Sequence, residues 1–254
     1  SLFFNQQFES EPQIALIAAC YDDTEEIQNQ MPEINSPTQL KASARNSLTG
    51  HYSFLISALF TVGIISSLFY ILLYPLTPLV SMIMHLFSFH ICRIYLMTFS
   101  GEKATFKDLF FGNPDRAKEM QAFYATCILT LIQFLCMLPS NILSLTVNNS
   151  SVLFLLYCVT FAAGMAVYCY IYLSLFPIYY LVSDCPAETT TETIRMAVFI
   201  SKGHRFRLFY LIASFLPLFL LSLLSFGVGL LWVIPYTQAT LTHYYLNLTA
   251  SKSN

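Results

Sequence analysis

The side chains able to do chemistry are few and scattered. Seven cysteines fall at positions 20, 92, 127, 136, 158, 169 and 185, an odd count with no Cys-x-x-Cys pair. Most lie in apolar surroundings, where cysteine behaves as a small hydrophobe, so neither a disulfide framework nor a zinc site is expected. His85 and His90 are five residues apart, about 140° around a helix of 3.6 residues per turn, and do not share a face. His90 and Arg93 are three apart and do. An ionisable residue within a membrane is a functional candidate by default, but Arg93 is expected to snorkel to the interface. His243 stands alone. There is no His-Glu-x-x-His, no Gly-x-Ser-x-Gly and no phosphate-binding loop. No catalytic residue, cofactor or metal is therefore expected. A weaker alternative is an enzyme acting at one face of a membrane through Asp184, Glu188, Glu192, His204 and Arg205.

Positive charge, by contrast, is concentrated. One stretch carries Lys103, Lys107, Arg116 and Lys118, and another carries Arg195, Lys202, His204, Arg205 and Arg207. Clusters of this kind contact anionic lipid or an acidic protein partner, and they also orient a membrane protein. These nine residues are the candidate lipid- or partner-contacting set. Pro177, Pro217 and Pro235 stand inside apolar runs and are expected to kink helices, freeing carbonyls that neighbours must satisfy.

The elements that position these groups follow from where charge is absent. The chain is 56% hydrophobic and only 10% charged, whereas a soluble domain is about 25% charged. No Asp, Glu, Lys or Arg occurs from Asn46 to Cys92, from Met120 to Ser183, or from Leu208 to Ser251. A membrane helix needs about 20 apolar residues, so each window holds two. Pro75 and Pro78, the run Val147–Ser151, and Gly227 with Gly229 divide them. The expected crossings are roughly 53–74, 79–98, 120–145, 152–182, 208–226 and 230–248. This is an all-α polytopic bundle of six transmembrane helices in three hairpins, occupying residues 36–250. Its outer surface meets the lipid bilayer. The near-neutral total argues against nucleic acid, which requires a basic face.

Eleven of the 12 basic residues fall before, between or after the hairpins on one side, Arg93 sits near the end of the second crossing that faces the same side, and the three opposite turns carry none. Both termini are thus expected to be cytoplasmic, in a plasma membrane. Thr189–Glu192 fits a capping box opening an interfacial helix over about 190–202, with Ile194, Ala197, Val198 and Ser201 on one face and Gly203 as its C-cap. The stretch Gly101–Lys118, with Phe106, Leu109, Phe110 and Phe111, is expected to hug the same interface. Ser36-Pro37-Thr38-Gln39 starts a helix carrying Leu40, Ala42 and Ala44 up to Gly50. Residues 1–35 hold seven acids and no base and are read as a flexible tail. Ile17–Cys20 is similar to a lipoprotein cleavage box, but no basic region precedes it, so it is not read as a signal peptide.

The stretch Tyr180–Leu248 carries Ser183-Asp184-Cys185-Pro186, Ser201-Lys202-Gly203-His204-Arg205, Gly227-Val228-Gly229-Leu230-Leu231-Trp232, Pro235-Tyr236 and Tyr244-Tyr245. Earlier come Ala44–Gly50, Gly101-Glu102 and Leu109-Phe110. Together they resemble a bacterial, mostly Firmicutes, family of six-helix integral membrane proteins known as domain of unknown function nine-seven-five. The likeness runs from about Ser36 to Leu248. Residues 1–35 depart from it, and Phe215-Leu216-Pro217 stands where a Trp is often found. It implies the fold and topology and brings no activity.

The expectation for function is a non-enzymatic membrane subunit or accessory protein acting through protein partners at the cytoplasmic face. The alternative is a transporter, or a protein handling lipids or amphipathic peptides, built on the proline-kinked helices.

Overall fold

The computed structural model describes residues 36–72, 77–110, 116–144, 151–184 and 189–253. The acidic tail, Pro75, the turn at 147–150, Phe111, Cys185 and Glu188 lie outside the described residues. Every regular element among those described is an α-helix: α1 (Pro37–Leu48), α2 (Tyr52–Leu72), α3 (Thr77–Phe99), α4 (Lys107–Phe110), α5 (Arg116–Ser144), α6 (Ser151–Leu175), α7 (Ile178–Asp184), α8 (Thr190–Ser201), α9 (Arg205–Ala213), α10 (Leu216–Leu224) and α11 (Leu230–Ser253).

The helix starts follow local chemistry. Ser36 Oγ accepts from the Gln39 amide at 3.2 Å and Gln39 Oε1 accepts from the Ser36 amide at 3.0 Å. Pro37 in the first turn lacks an N–H that would have no partner there anyway. α1 buries Leu40, Ala44 and Leu48, a stripe at four-residue spacing. Ala42, on the same helix, is exposed, because two residues from Leu40 is about 200° around the helix. The stripe packs on α11, where Tyr236 OH donates to Lys41 O and Ser47 Oγ meets His243 Nε2 at 2.9 Å. Both contact positions rise together along the two helices, so α1 and α11 run parallel.

α8 is capped by Thr189, whose Oγ1 accepts from the Glu192 amide at 3.4 Å, and Gly203 follows its end at φ +88. Its buried face is Thr193, Ala197, Ile200 and Ser201. The expected face used Ile194 and Val198, so the true one is rotated by about one residue. Thr193 turns inward because its Oγ1 donates back to Thr189 O, which lets a polar residue occupy an apolar seat.

Five helices or helix pairs are long and apolar enough to cross a membrane: Tyr52–Leu72, Leu79–Phe99, Arg116–Ser144, Ser151–Asp184 and Arg205–Leu224. The chain is therefore a multi-pass membrane protein. The sixth expected crossing is α11, a helix of 24 residues. It is long enough, at about 1.5 Å per residue, but beyond Tyr236 it carries Thr237, Gln238, Thr240, Thr242, His243 and Asn247, which makes it less apolar than the other five.

Two crossings are interrupted at proline. Phe176 and Pro177 separate α6 from α7. Ser214 and Phe215 separate α9 from α10, with Pro217 in the first turn of α10. Pro217 supplies no N–H to the carbonyl four residues back. Beside that gap Lys41 Nζ donates to Ser214 O at 3.3 Å and lies 4.3 Å from the centre of the Phe215 ring. A cation at the C-terminal end of α9 also meets the negative end of its dipole. Burial lowers the Lys41 pKa from its ordinary value. Lys41 thus serves a neighbouring helix rather than simply adding to a basic face. Pro235 lies inside α11, which stays continuous.

Candidate functional site

The start of α5, the end of α7 and α8 pack together at one end of the bundle, and most of the described basic residues lie there. This basic end holds most of the buried polar groups. Its hub is α7, in which Ile178, Tyr179, Tyr180, Leu181 and Val182 are all buried. Tyr180 stacks on Tyr245 with ring centres 4.8 Å apart. The Tyr180 hydroxyl accepts from Gln238 Nε2 at 3.2 Å and meets Thr242 Oγ1 at 3.3 Å. Tyr245 OH donates to Asp184 Oδ2 at 3.1 Å. Gln238, Thr242 and Tyr245 recur at four and three residues, so α11 aims one face at α7.

Next to this hub lie His90 and Arg93 of α3, only 5% and 7% exposed. Arg93 does not snorkel to an interface. α4 and α5 pack on the end of α3, so protein covers it. Among the described residues, Arg93 Nη1 and His90 Nδ1 have no hydrogen-bond partner. His85 instead meets Gln133 Oε1 at 3.2 Å, and His243 stacks on Phe99 at 4.9 Å.

A shallow cleft, too tight to admit a water molecule, lies at the same end. Its polar lining is Ser201, His204, Arg205 and Tyr244, and its apolar wall is Leu173, Phe176, Leu208 and Leu248. The α8–α9 turn brings the polar groups together. Gly203 takes the left-handed conformation that the turn needs, and Tyr244 OH ties the turn to α11 by donating to His204 O at 2.9 Å. Arg205 Nη1 donates to Tyr170 OH at 2.6 Å, and Arg207 lies 5.9 Å from the centre of the Tyr244 ring.

The nine candidate cations divide into two groups. Lys103, Lys107, Arg116, Arg195 and Lys202 are exposed. Lys118 Nζ donates to Ser183 O at 2.9 Å, and His204, Arg205 and Arg207 sit at or beside the cleft. Of the residues named for the enzyme alternative, Asp184 is engaged by Tyr245, His204 and Arg205 line the cleft, Glu192 sits in the first turn of α8, and Glu188 lies outside the described residues. Sequence reasoning missed Ser201, taken for an apolar-face residue, and did not single out Tyr170. The paired Tyr244-Tyr245 was the available signal, since adjacent helical residues point about 100° apart and so serve both the cleft and the hub.

No curated protein and no solved structure matches the chain. A family model, described as a protein of unknown function (DUF975), matches residues 34–252, the whole bundle from the start of α1 through α11. The chain belongs to the DUF975 family of proteins of unknown function.

Proposed function

We propose that this protein is a non-enzymatic membrane subunit that works by holding a protein partner at its basic end. In this reading six helices cross a bacterial plasma membrane in three hairpins, with both termini cytoplasmic. The observation that carries it is the division among the cations. Lys103, Lys107, Arg116, Arg195 and Lys202 come from three separate segments and are all exposed, while Lys118 and Arg205 are spent on contacts within the chain. Exposed cations gathered from several segments suit an acidic protein surface, and complementary charge of this kind speeds and orients docking.

The test is purification from native membranes in mild detergent. A stoichiometric partner is expected, and it should be lost when Lys103, Lys107 and Arg116 are changed together to Glu. Recovery of the chain without any stoichiometric protein would overturn the reading. A second reading, movement of an amphipathic solute, is favoured by the break at Ser214–Phe215, since broken helices can line a path. A cysteine at Ser214 that never reacts with a polar thiol reagent in membranes would remove it.

A further inference from the structure

We infer that α1 stands inside the membrane and that its outward polar face is covered by residues 1–35 of the same chain, folding back along it toward the cytoplasm. The depth of α1 follows from its partners. Ser214 lies midway along the crossing Arg205–Leu224, and Lys41 Nζ donates to its carbonyl at 3.3 Å. The Lys41 carbonyl in turn accepts from Tyr236 OH of α11 at 3.2 Å. At the other end of α1, Ser47 meets His243, whose ring stacks on Phe99 at the end of α3. The helix therefore stands along α11 rather than lying flat at the interface. Its 12 residues rise about 18 Å, more than half of a hydrocarbon layer about 30 Å thick.

The two faces of α1 differ in chemistry. The inward face, Leu40, Ala44 and Leu48, covers the polar half of α11, where Thr240, Thr242 and His243 are buried. The outward face carries Thr38, Ala42, Arg45 and Asn46, all exposed. Arg45 has no hydrogen bond or ion pair among the described residues. On α2 and α6 the outward residues at such depth are apolar, among them Phe60, Ile64, Val159 and Phe161. Hydrocarbon offers a hydroxyl, an amide or a guanidinium no partner, so a polar cover is required over α1 and not over α2 or α6.

Connectivity and charge choose the cover. The chain enters α1 at Ser36, the end that lies deepest, so residues 1–35 join the fold within the membrane and beside the exposed face. A tethered segment acts at an effective concentration of about millimolar, which favours it over a free partner. Residues 1–35 hold seven acids and no base, the complement of an exposed Arg45. Residues 24–35 span about 18 Å even at the rise of a helix, enough to return to the cytoplasmic side, and they carry Glu25, Glu26 and Glu33. Acids at this depth need a partner as much as the face does. The inference rests on the reading that both termini are cytoplasmic. It leaves the protein partner proposed above, whose site lies on other cations, untouched.

Photo-cross-linking of the full chain in membranes tests it, with benzoylphenylalanine placed at the exposed Ala42 and the products identified by mass spectrometry. The main product should join position 42 to a peptide within residues 1–35, in a species that still migrates as a monomer. The same probe at Phe60, on the lipid-facing side of α2, should give lipid adducts. Arg45→Glu should lower the yield of the position-42 product about threefold or more, as expected when an ion pair becomes a repulsion. Arg116→Glu, at the basic end, should leave it unchanged. Lipid adducts at Ala42, a cross-linked dimer, an adduct to a second protein, or a yield unaffected by Arg45→Glu would each overturn the proposal. An N-terminal tag labelled by an impermeant reagent from outside the cell would overturn the cytoplasmic reading of that terminus together with this inference. A tag shielded from outside, with lipid adducts at Ala42, would sink this inference alone.

Discussion

The two ends of the bundle are built on different physics. At the basic end, side chains are buried whether or not they are apolar: Tyr180 and Tyr245 stack, Arg93 and His90 are covered, and Asp184 holds a tyrosine hydroxyl. At the opposite end, large apolar side chains face outward from nearly every helix. Ile71 and Leu72 of α2, Val152 and Leu155 of α6 and Leu224 of α10 are all more than 60% exposed. The most apolar stretch of Ser151–Asp184 has none of its residues buried. Between lipid-bathed helices the hydrophobic effect supplies no attraction, because lipid tails are as apolar as leucine. The opposite end therefore coheres through close backbone approach, and the basic end through side-chain packing and hydrogen bonds.

Mutations at the two ends should separate these mechanisms. The largest effect is expected from Tyr245→Ala, which removes a fully buried ring and the hydroxyl on Asp184. Unfolding in detergent should show a loss of about 3–5 kcal/mol, as for other buried aromatics. Phe60→Ala, at a residue 54% exposed near the middle of α2, should change stability by less than about 0.5 kcal/mol. Equal losses at the two positions would break the comparison.

Gly164→Ala comes next. A Cβ at Gly164 would overlap the Cys136 carbonyl, where α5 and α6 pack. Overpacking of this kind costs about 1–3 kcal/mol. A tolerated alanine, measured by the same unfolding assay, would mean that backbone approach does not hold this pair together. Lys41→Met should cost about 1 kcal/mol through the lost bond to Ser214 O and should raise proteolytic sensitivity near the α9–α10 break. The smallest effect is expected at Phe226, which is 99% exposed with φ +53. Asn tolerates that conformation better, so Phe226→Asn should leave stability unchanged or raise it by under about 1 kcal/mol. A clear loss would show that the ring has an apolar seat in the membrane.

Much of the fold could be read from the sequence because membrane crossings announce themselves by the absence of charge. The windows Asn46–Cys92, Met120–Ser183 and Leu208–Ser251 enclose five apolar crossings and the more polar α11. The cap at Ser36 with Pro37 was equally plain, since its chemistry is local. Interhelical partners were not. Nothing in the pattern says that Lys41 reaches a carbonyl 173 residues away, or that Ser201 lies with Arg205 in one cleft. Arg93 was misread for a related reason. Its position near a helix end suggested water, and only the packing of α4 and α5 on that end removes it. Tertiary contacts decide such cases, and hydrophobic periodicity does not carry them.

One element has a consequence in time as well as space. From Ser174 to Val182 nine consecutive residues are buried, and α7 within that run packs on α3, α5 and α8 and stacks on α11. Two turns of helix enclosed on all sides cannot loosen while their surroundings stay in place. Amides of this run should exchange with solvent only when the whole basic end opens, at one shared rate, while amides of α2 and α6 far from it follow smaller and independent openings. The short helix after Pro177 would then report, proton by proton, the lifetime of the assembled end.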